Sequence, residues 1–247
     1  MRFLITGASS QIGFAICRTL YSQGHELIVT TSQESSMIDL CKKLDENQIE
    51  AETLIFNFNQ CEDSNERLNT LCKKSIDGLI LNACEKVLRL KRFGDIKLED
   101  SLHYIEKNLR GNLFLLHRIL KEQMKTNLGR NVFISSISAT MGTSRYASYC
   151  LLKSGMEGLF RNLAVDYGSK NLFFNSLRPG IIETERHSKI RSRKGYEENI
   201  IQRIPASKLG LPDQVAQALL PLVSQNSYIN GTELTVSGGL PLFRTDV

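Results

Sequence analysis

The chemically most informative pair in the sequence is Tyr149 and Lys153, which are four positions apart. On a helix, residues at this spacing share one face, about 6 Å apart, and a lysine ammonium there favours the charged form of a phenol. Ser135 and Ser136 end the apolar run that precedes the pair. The pattern predicts a site that exchanges a proton with a substrate oxygen, although Tyr-x-x-x-Lys alone also occurs by chance on helix surfaces.

A second candidate site is the segment TGASSQIG, residues 6–13, which lies between an apolar run and an amphipathic one. A glycine turn between strand and helix commonly holds a dinucleotide diphosphate, because the helix N-terminus presents backbone N–H groups to the phosphates. Gly7 would permit the tight turn, and Gly13 would permit close packing of the helix. Taken alone, the segment fits an ordinary strand-to-helix loop as well.

The elements that must position these residues follow from hydrophobic patterning. Short apolar runs alternate with longer amphipathic stretches and predict strands at 2–6, 26–30, 52–56, 78–82, 131–136, 172–177 and 233–236. Strands that are apolar throughout and alternate with helices indicate a parallel sheet covered on both faces. The predicted fold class is therefore α/β: a single-domain, doubly wound Rossmann fold with a seven-stranded parallel sheet.

Two further segments have a predicted role. Residues 98–126 are expected to form one long helix whose core-facing stripe is Leu102, Ile105, Leu109, Leu113, Leu116 and Leu120. Residues 184–203 are polar and basic and are the best candidate for a substrate lid. Their basic side chains most simply form a solvated face, or else meet a phosphorylated or acyl-carrier-bound substrate: Arg186, Lys189, Arg191, Arg193 and Lys194.

Composition limits the class of protein. A chain of 247 residues with 41% hydrophobic content suits one domain. No apolar run approaches the roughly 20 residues that span a bilayer, and the N-terminus enters a strand pattern at once, so we expect an unsecreted, cytoplasmic protein. Six scattered cysteines suggest neither a metal site nor disulfides. A net charge of +5 is too small to imply nucleic acid.

In order along the chain, these segments resemble the classical short-chain dehydrogenase/reductase family over essentially the full length. The other matching segments are LNAC (81–84), KNLRGN (107–112), the serine of FISS, YCLLK (149–153), RPGIIET (178–184) and INGTELTVSGG (229–239). The resemblance implies an NAD(P)-dependent enzyme that interconverts a carbonyl and a secondary alcohol. Within the family, the chain looks most like bacterial 3-oxoacyl-[acyl-carrier-protein] reductases.

The resemblance also implies the site residues. Tyr149 would be the general acid, Lys153 would favour its phenolate and hold the nicotinamide ribose, Ser136 would orient the carbonyl, and Asn108 would fix a water in the proton relay. Ser136 is preferred to its neighbours because it lies thirteen residues before Tyr149. The implied cofactor contacts are Gly7, Ser9, Ser10, Gln11, Ile12, Gly13, Thr31, Ser32, Asn57, Phe58, Asn82, Ala83, Cys84, Tyr149, Lys153, Pro179, Gly180, Ile182 and Thr184.

Four positions depart from the family pattern. Gln11 and Cys84 stand where glycine is common in the family. Asn57 stands where an aspartate would meet the adenine, and Ser237, just before the final glycine pair, is not the residue that the family usually has there. A non-glycine residue can adopt helical angles at a helix N-terminus, so Gln11 is expected to cost affinity without blocking the diphosphate. We interpret the turn as a working but altered cofactor site.

Cofactor choice depends on the residues after the second strand. Thr31 and Ser32 stand there, where an acidic residue would bind the ribose 2′-hydroxyl of NAD and repel a 2′-phosphate. The absence of an acid favours NADP(H), with the two hydroxyls accepting the phosphate. The arginine that NADP-dependent relatives often carry is missing at Ser10 and Ser32.

The sequence thus predicts an NADPH-dependent reductase of a 3-oxoacyl thioester. The alternatives are a reductase or dehydrogenase for another ketone or secondary alcohol, and, in a different class, a non-catalytic dinucleotide-binding regulatory protein. The resemblance also implies a D2 homotetramer, because members of the family usually assemble through the long helices of 98–126 and 147–169, and this chain keeps apolar positions on both. The tail LPLFRTDV is expected at a subunit contact, because Leu240, Leu242 and Phe243 would otherwise be exposed.

Overall fold

The structure, a computed structural model, describes residues 1–85, 91–185, 196–240 and 242, without the side chains of 196–198. Within these residues, one parallel sheet contains seven strands: β1 (Arg2–Ile5), β2 (Glu26–Thr31), β3 (Glu52–Ile55), β4 (Gly78–Leu81), β5 (Gly129–Ile134), β6 (Leu172–Pro179) and β7 (Glu233–Val236). Their order is β3-β2-β1-β4-β5-β6-β7, and all neighbours are parallel. The doubly wound sheet is confirmed, and each strand agrees with its predicted range to within two residues.

Helices cover both faces of the sheet. They are α1 (Gln11–Ser22), α2 (Glu34–Glu46), α3 (Asn65–Leu71), α4 (Leu98–Thr126), α5 (Ala147–Tyr167), α6 (Tyr196–Ile201) and α7 (Pro212–Val223). One core cluster joins α1, α2 and α7 to the sheet, and a second joins α3, α4 and α5 to the opposite face. Because successive strand residues point to opposite faces, Phe3 and Ile5 belong to the first cluster and Leu4 to the second.

The strands form from continuous apolar runs because both of their faces are buried. Leu79, Ile80 and Leu81 of β4 are all at most 1% exposed. Burying one such side chain contributes roughly 1.5–3 kcal/mol, so a central strand with two covered faces has little tolerance for polar residues. The carboxyl ends of these strands lie at one edge of the sheet, where the candidate site residues follow β1, β4, β5 and β6.

Helix α4 has the predicted range but a different buried face. Leu116 and Leu120 are buried, whereas Leu102 and Leu113 are 55% and 41% exposed, so the predicted core stripe is wrong at these two positions. The buried face is instead lined by Ser101, Asn108, Gly111, Asn112, Leu115, Leu116, Ile119, Leu120 and Gln123. The cause is a close approach: a Cβ at Gly111 would overlap the Phe58 ring, so only glycine lets α4 come this near to the chain after β3.

The predicted lid and tail are only partly described. The five basic lid residues named above lie outside the described residues, as do Phe243 and the rest of the tail except Leu240 and Leu242. Leu242 is 72% exposed. Among the residues that the structure does describe, no helix combines the length and apolarity that crossing a membrane requires.

Candidate active site

The glycine turn after β1 is shaped by close backbone contacts. Gly7 has a φ of +63°, in the left-handed region that favours glycine, and a Cβ there would lie 3.0 Å from the Ala83 Cα. A Cβ at Gly13 would overlap the Gly7 carbonyl oxygen. Both glycines are therefore required sterically, and together they leave backbone rather than side chains facing the edge of the sheet. This is the cradle that a dinucleotide diphosphate needs.

Side-chain hydrogen bonds fix this cradle. Ser10 caps α1, since its Oγ accepts the Gly13 N–H at 3.1 Å and donates to the Gly7 carbonyl at 2.9 Å. The Asn82 Nδ2 donates to the carbonyls of Thr6 and Gly7 at 3.1 and 3.0 Å. The turn after β1 and the turn after β4 are thus joined at the point where the strand order reverses, which is where open α/β sheets bind ligands.

Gln11 begins α1 and is exposed. Its Oε1 accepts a hydrogen bond from the backbone N–H of Glu185 at 2.6 Å. Thr184, another predicted cofactor contact, is the preceding residue, so the structure brings the chain after β6 to the start of α1. Nothing in the sequence indicated this contact, because the two residues are 174 positions apart.

The two hydroxyls after β2 have different surroundings. Thr31 is 3% exposed, and its Oγ1 donates to the Gln33 carbonyl at 3.0 Å. Ser32 is exposed. The prediction that both hydroxyls accept a ribose phosphate therefore needs correction: the Thr31 hydroxyl is turned inward and already bonded, and Ser32 is the member of the pair that solvent reaches.

The other predicted cofactor contacts lie along the same edge. Asn57 accepts the Asn59 N–H at 2.9 Å through its Oδ1, and Phe58 is buried against α4, so only its backbone can reach an adenine. The Cys84 Sγ lies 3.4 Å from the Tyr104 hydroxyl. Ile182 is also buried and bridges Gly210. Ser9, Ile12, Ala83, Pro179 and Gly180 complete the set at the ends of β1, β4 and β6.

The lysine of the predicted catalytic pair is held deep in the protein. Lys153 is 3% exposed, and its Nζ donates to the Ile134 carbonyl at 2.7 Å, at the end of β5. The same Nζ lies 4.5 Å from the centroid of the Phe133 ring and 5.5 Å from that of Tyr149. The structure therefore places the ammonium beside the Tyr149 ring, as the i, i+4 spacing predicts.

Three serines follow β5 and have distinct positions. Ser136 is partly exposed, and its Oγ accepts the Ser138 N–H at 3.1 Å, which leaves its proton available as a donor. The Ser138 hydroxyl pairs with that of Thr143 at 2.9 Å. Ser135 is 4% exposed, and its Oγ has no hydrogen-bond partner among the described residues. Ser136 thus combines partial exposure with a free hydroxyl proton, and its role toward a substrate carbonyl remains a prediction.

Asn108 is fully buried on α4. Its Oδ1 accepts the Glu85 N–H at 2.9 Å, its Nδ2 donates to the Tyr104 carbonyl at 2.8 Å, and its own carbonyl accepts the Asn112 Nδ2 at 2.8 Å. These contacts anchor the chain after β4 to α4. The predicted role in a water relay remains a prediction.

Sequence reasoning missed the buried ion pair of Glu157 and Arg178. Glu157 is 2% exposed and accepts two hydrogen bonds from Arg178, at 2.7 and 2.6 Å; this contact raises the pKa of the guanidinium. Glu157 lies one helical turn beyond Lys153, so the ion pair fixes α5 to the end of β6 one turn beyond the predicted catalytic lysine. The spacing of positions 149, 153 and 157 was a visible signal, because such residues share one helix face.

Comparisons with known proteins show the family and the fold of the chain. Residues 7–241 match the model of a family described as enoyl-(acyl carrier protein) reductase, a subset of the short-chain dehydrogenases/reductases. The chain belongs to the short-chain dehydrogenase/reductase family. The 3-oxoacyl-[acyl-carrier-protein] reductase of Rickettsia prowazekii is 32% identical to this short-chain dehydrogenase/reductase over 241 residues, which cover 96% of this chain and 95% of the relative.

Solved structures give the same result for the fold of this short-chain dehydrogenase/reductase. A 3-oxoacyl (acyl-carrier-protein) reductase from Agrobacterium tumefaciens, solved with NADP, has a TM-score of 0.87 at 22% identity, covering 96% of this chain and 93% of that one. A protein of the same organism, assigned as a 2-deoxy-d-gluconate 3-dehydrogenase and solved with NADP, has a TM-score of 0.83 at 26% identity, with 96% and 95% covered. The chain is thus an NAD(P)-dependent oxidoreductase.

Proposed function

We propose that the protein reduces the ketone of a 3-oxoacyl thioester, carried on an acyl-carrier protein, to a secondary alcohol with NADPH. The observation that carries this proposal is the Lys153 ammonium beside the Tyr149 ring, at the same sheet edge as the glycine cradle. The 32% identity to a 3-oxoacyl-[acyl-carrier-protein] reductase over nearly both chains supports the substrate class. The proposal places the protein in the cytoplasm and in fatty-acid synthesis.

The residues of the cradle fit the cofactor, because Gly7 and Gly13, where a Cβ would run into neighbouring backbone, allow the tight turn and the close helix start that a dinucleotide diphosphate needs. A bound NADPH supplies the hydride that adds to the carbonyl carbon. Tyr149 gives its hydroxyl proton to the carbonyl oxygen, so the ketone gains one hydride and one proton. Lys153 stabilises the negative charge left on Tyr149, and Ser136 donates a hydrogen bond that orients the carbonyl.

Three observations support NADP(H) over NAD(H). Neither Thr31 nor Ser32 is acidic, so nothing at these positions repels a 2′-phosphate. Ser32 is exposed at the end of β2 and offers a hydroxyl to that phosphate. The 26% identical structural relative holds NADP.

We also propose the homotetramer. On α4, Leu102 and Leu113 are 55% and 41% exposed, and on α5, Leu151 and Val165 are 60% and 83% exposed. Apolar side chains grouped on adjacent helices are typical of a protein–protein contact. Light scattering at micromolar concentration tests this: a monomeric mass would reject the assembly, and a dimer would reduce it to one interface.

The activity is tested by following NADPH oxidation at its absorbance band with three substrates: a 3-oxoacyl thioester, a simple ketone and a 2-enoyl thioester. Turnover of the 3-oxoacyl thioester above the others supports the proposal. Preference for the simple ketone would favour another alcohol–ketone pair, and preference for the enoyl thioester would reject carbonyl reduction. NADPH binding with no turnover would support a regulatory dinucleotide-binding protein.

Tyr149→Phe tests the catalytic assignment. We expect kcat to fall by about 10²- to 10⁴-fold with NADPH affinity nearly unchanged, because only the transferable proton is removed. Tyr167→Phe is the matched control, since it makes the same change at the other end of α5. Near-normal turnover by Tyr149→Phe would show that another group provides the proton.

A further inference from the structure

One side-chain contact joins the start of α1 to the segment after β6. We call residues 180–185 the β6 strap. The Gln11 Oε1 accepts the backbone N–H of Glu185, the last residue of the strap, at 2.6 Å. Gln11 directly follows Ser10, the residue that caps α1, so the contact is made at the edge of the glycine cradle.

The other end of the β6 strap is held by backbone hydrogen bonds. The Gly180 N–H donates to the Val236 carbonyl of β7 at 2.8 Å, and the Glu183 N–H donates to the Gly210 carbonyl at 2.7 Å. The Gly210 N–H donates in return to the Ile181 carbonyl at 3.0 Å. Residues 180–183 are therefore fixed by the main chain, and Gln11 provides a separate attachment at Glu185.

Sheet topology shows what the β6 strap spans. β4 and β5 lie between β1 and β6, so three strand spacings, about 14 Å, separate the ends of β1 and β6. Six extended residues reach at most about 20 Å, so a strap of this length can cross that distance. It runs from the β6 end of the carboxyl edge to the start of α1, beside the reversal point where this fold class binds dinucleotides.

We propose that Gln11 is a positioning residue: it ties the β6 strap to α1 and thereby slows the release of a bound dinucleotide. The second half of this inference rests on the cofactor proposed above. A glycine at position 11 would offer no side-chain acceptor to Glu185. Gln11, which replaces the family's glycine, therefore gives this chain a hydrogen bond to the β6 strap that a glycine at this position could not form.

The tie itself is tested without any cofactor by hydrogen–deuterium exchange of a peptide that contains Glu185. Gln11→Met keeps the length of the side chain and removes its acceptor, so we expect the Glu185 amide to exchange faster than in the wild-type protein. Gln217→Met makes the same change at an exposed position of α7 and should leave this amide unchanged. Equal exchange in Gln11→Met and the wild type would overturn the tie.

The effect of the tie is tested by displacing NADPH from the protein in a stopped-flow fluorimeter. Loss of one neutral hydrogen bond predicts release about fivefold faster in Gln11→Met, and Gln11→Gly should change in the same direction. Faster exchange with unchanged or slower release would overturn the retention role. If the wild-type protein binds neither NADPH nor NADH, the cofactor proposal and the retention role both fail, and the exchange measurement still decides whether the tie exists.

Discussion

Replacing Lys153 by Met should reduce turnover by removing the charge that stabilises the deprotonated Tyr149. The ammonium is 5.5 Å from the centroid of the Tyr149 ring and 3% exposed, so solvent screens it weakly. Taking the ring centroid as the position of the phenolate charge and an effective dielectric constant of about 20, two unit charges 5.5 Å apart interact by roughly 3 kcal/mol. This corresponds to a loss of about a hundredfold in kcat.

The assay is NADPH oxidation with the best substrate of the panel, measured on the wild-type protein, Lys153→Met, Tyr149→Phe and the double variant. If Lys153 acts through Tyr149, the two losses overlap, and the double variant is little worse than Tyr149→Phe. Lys153→Arg keeps the charge and should retain more activity than Lys153→Met.

Two results would refute this reasoning. The first is a Lys153→Met protein whose kcat stays within about threefold of the wild type, well below the loss worked out above. The second is strict additivity of the two substitutions. Because Lys153→Met also leaves the Ile134 carbonyl without its donor, melting temperatures must be measured for every variant, so that lost folding is not counted as lost catalysis.

The structure makes two further predictions. Gly111→Ala should lower the free energy of unfolding by about 1–3 kcal/mol, because its Cβ would overlap the Phe58 ring. Urea denaturation measures this loss, and adding Phe58→Leu to the same protein should recover part of it. An unchanged denaturation midpoint for Gly111→Ala alone would contradict the close approach of α4. Burial raises the pKa of the Cys17 thiol to about 12, so the thiol stays protonated at pH 8. We expect Cys17 to react with a disulfide reagent only after the protein unfolds. Labelling of Cys17 in the native protein would show that this region opens.

Much of the fold could be predicted because its strands are continuous apolar runs. Continuous apolar runs are typical of strands in a parallel sheet that is covered on both faces, and each predicted strand agrees with an observed one. The long helix was predicted with its range, yet its predicted inward face was wrong at Leu102 and Leu113. Periodicity counts apolar residues, whereas the observed face includes Asn108, which bonds the chain after β4, and Gly111, which admits Phe58.

The candidate site was predictable where its residues are close in sequence. Tyr149 and Lys153 are one helical turn apart, and their separation follows from helix geometry. The direction of the Thr31 hydroxyl depends on the backbone of Gln33, and the role of Gln11 depends on a residue 174 positions away. From the sequence alone, Gln11 is only a position where the family's glycine is missing. Its partner, the Glu185 backbone N–H, is brought near it by the fold.

The two sides of the catalytic turn of α5 have opposite surroundings. Lys153 is buried beneath the turn, while Leu151, which lies between Tyr149 and Lys153 in the sequence, is 60% exposed. A protein surface that binds at Leu151 therefore contacts the same helical turn that carries Tyr149. If copies of the chain associate there and the contact alters the position of Tyr149, the rate per active site will depend on protein concentration, and dilution will lower it with no ligand in the cleft.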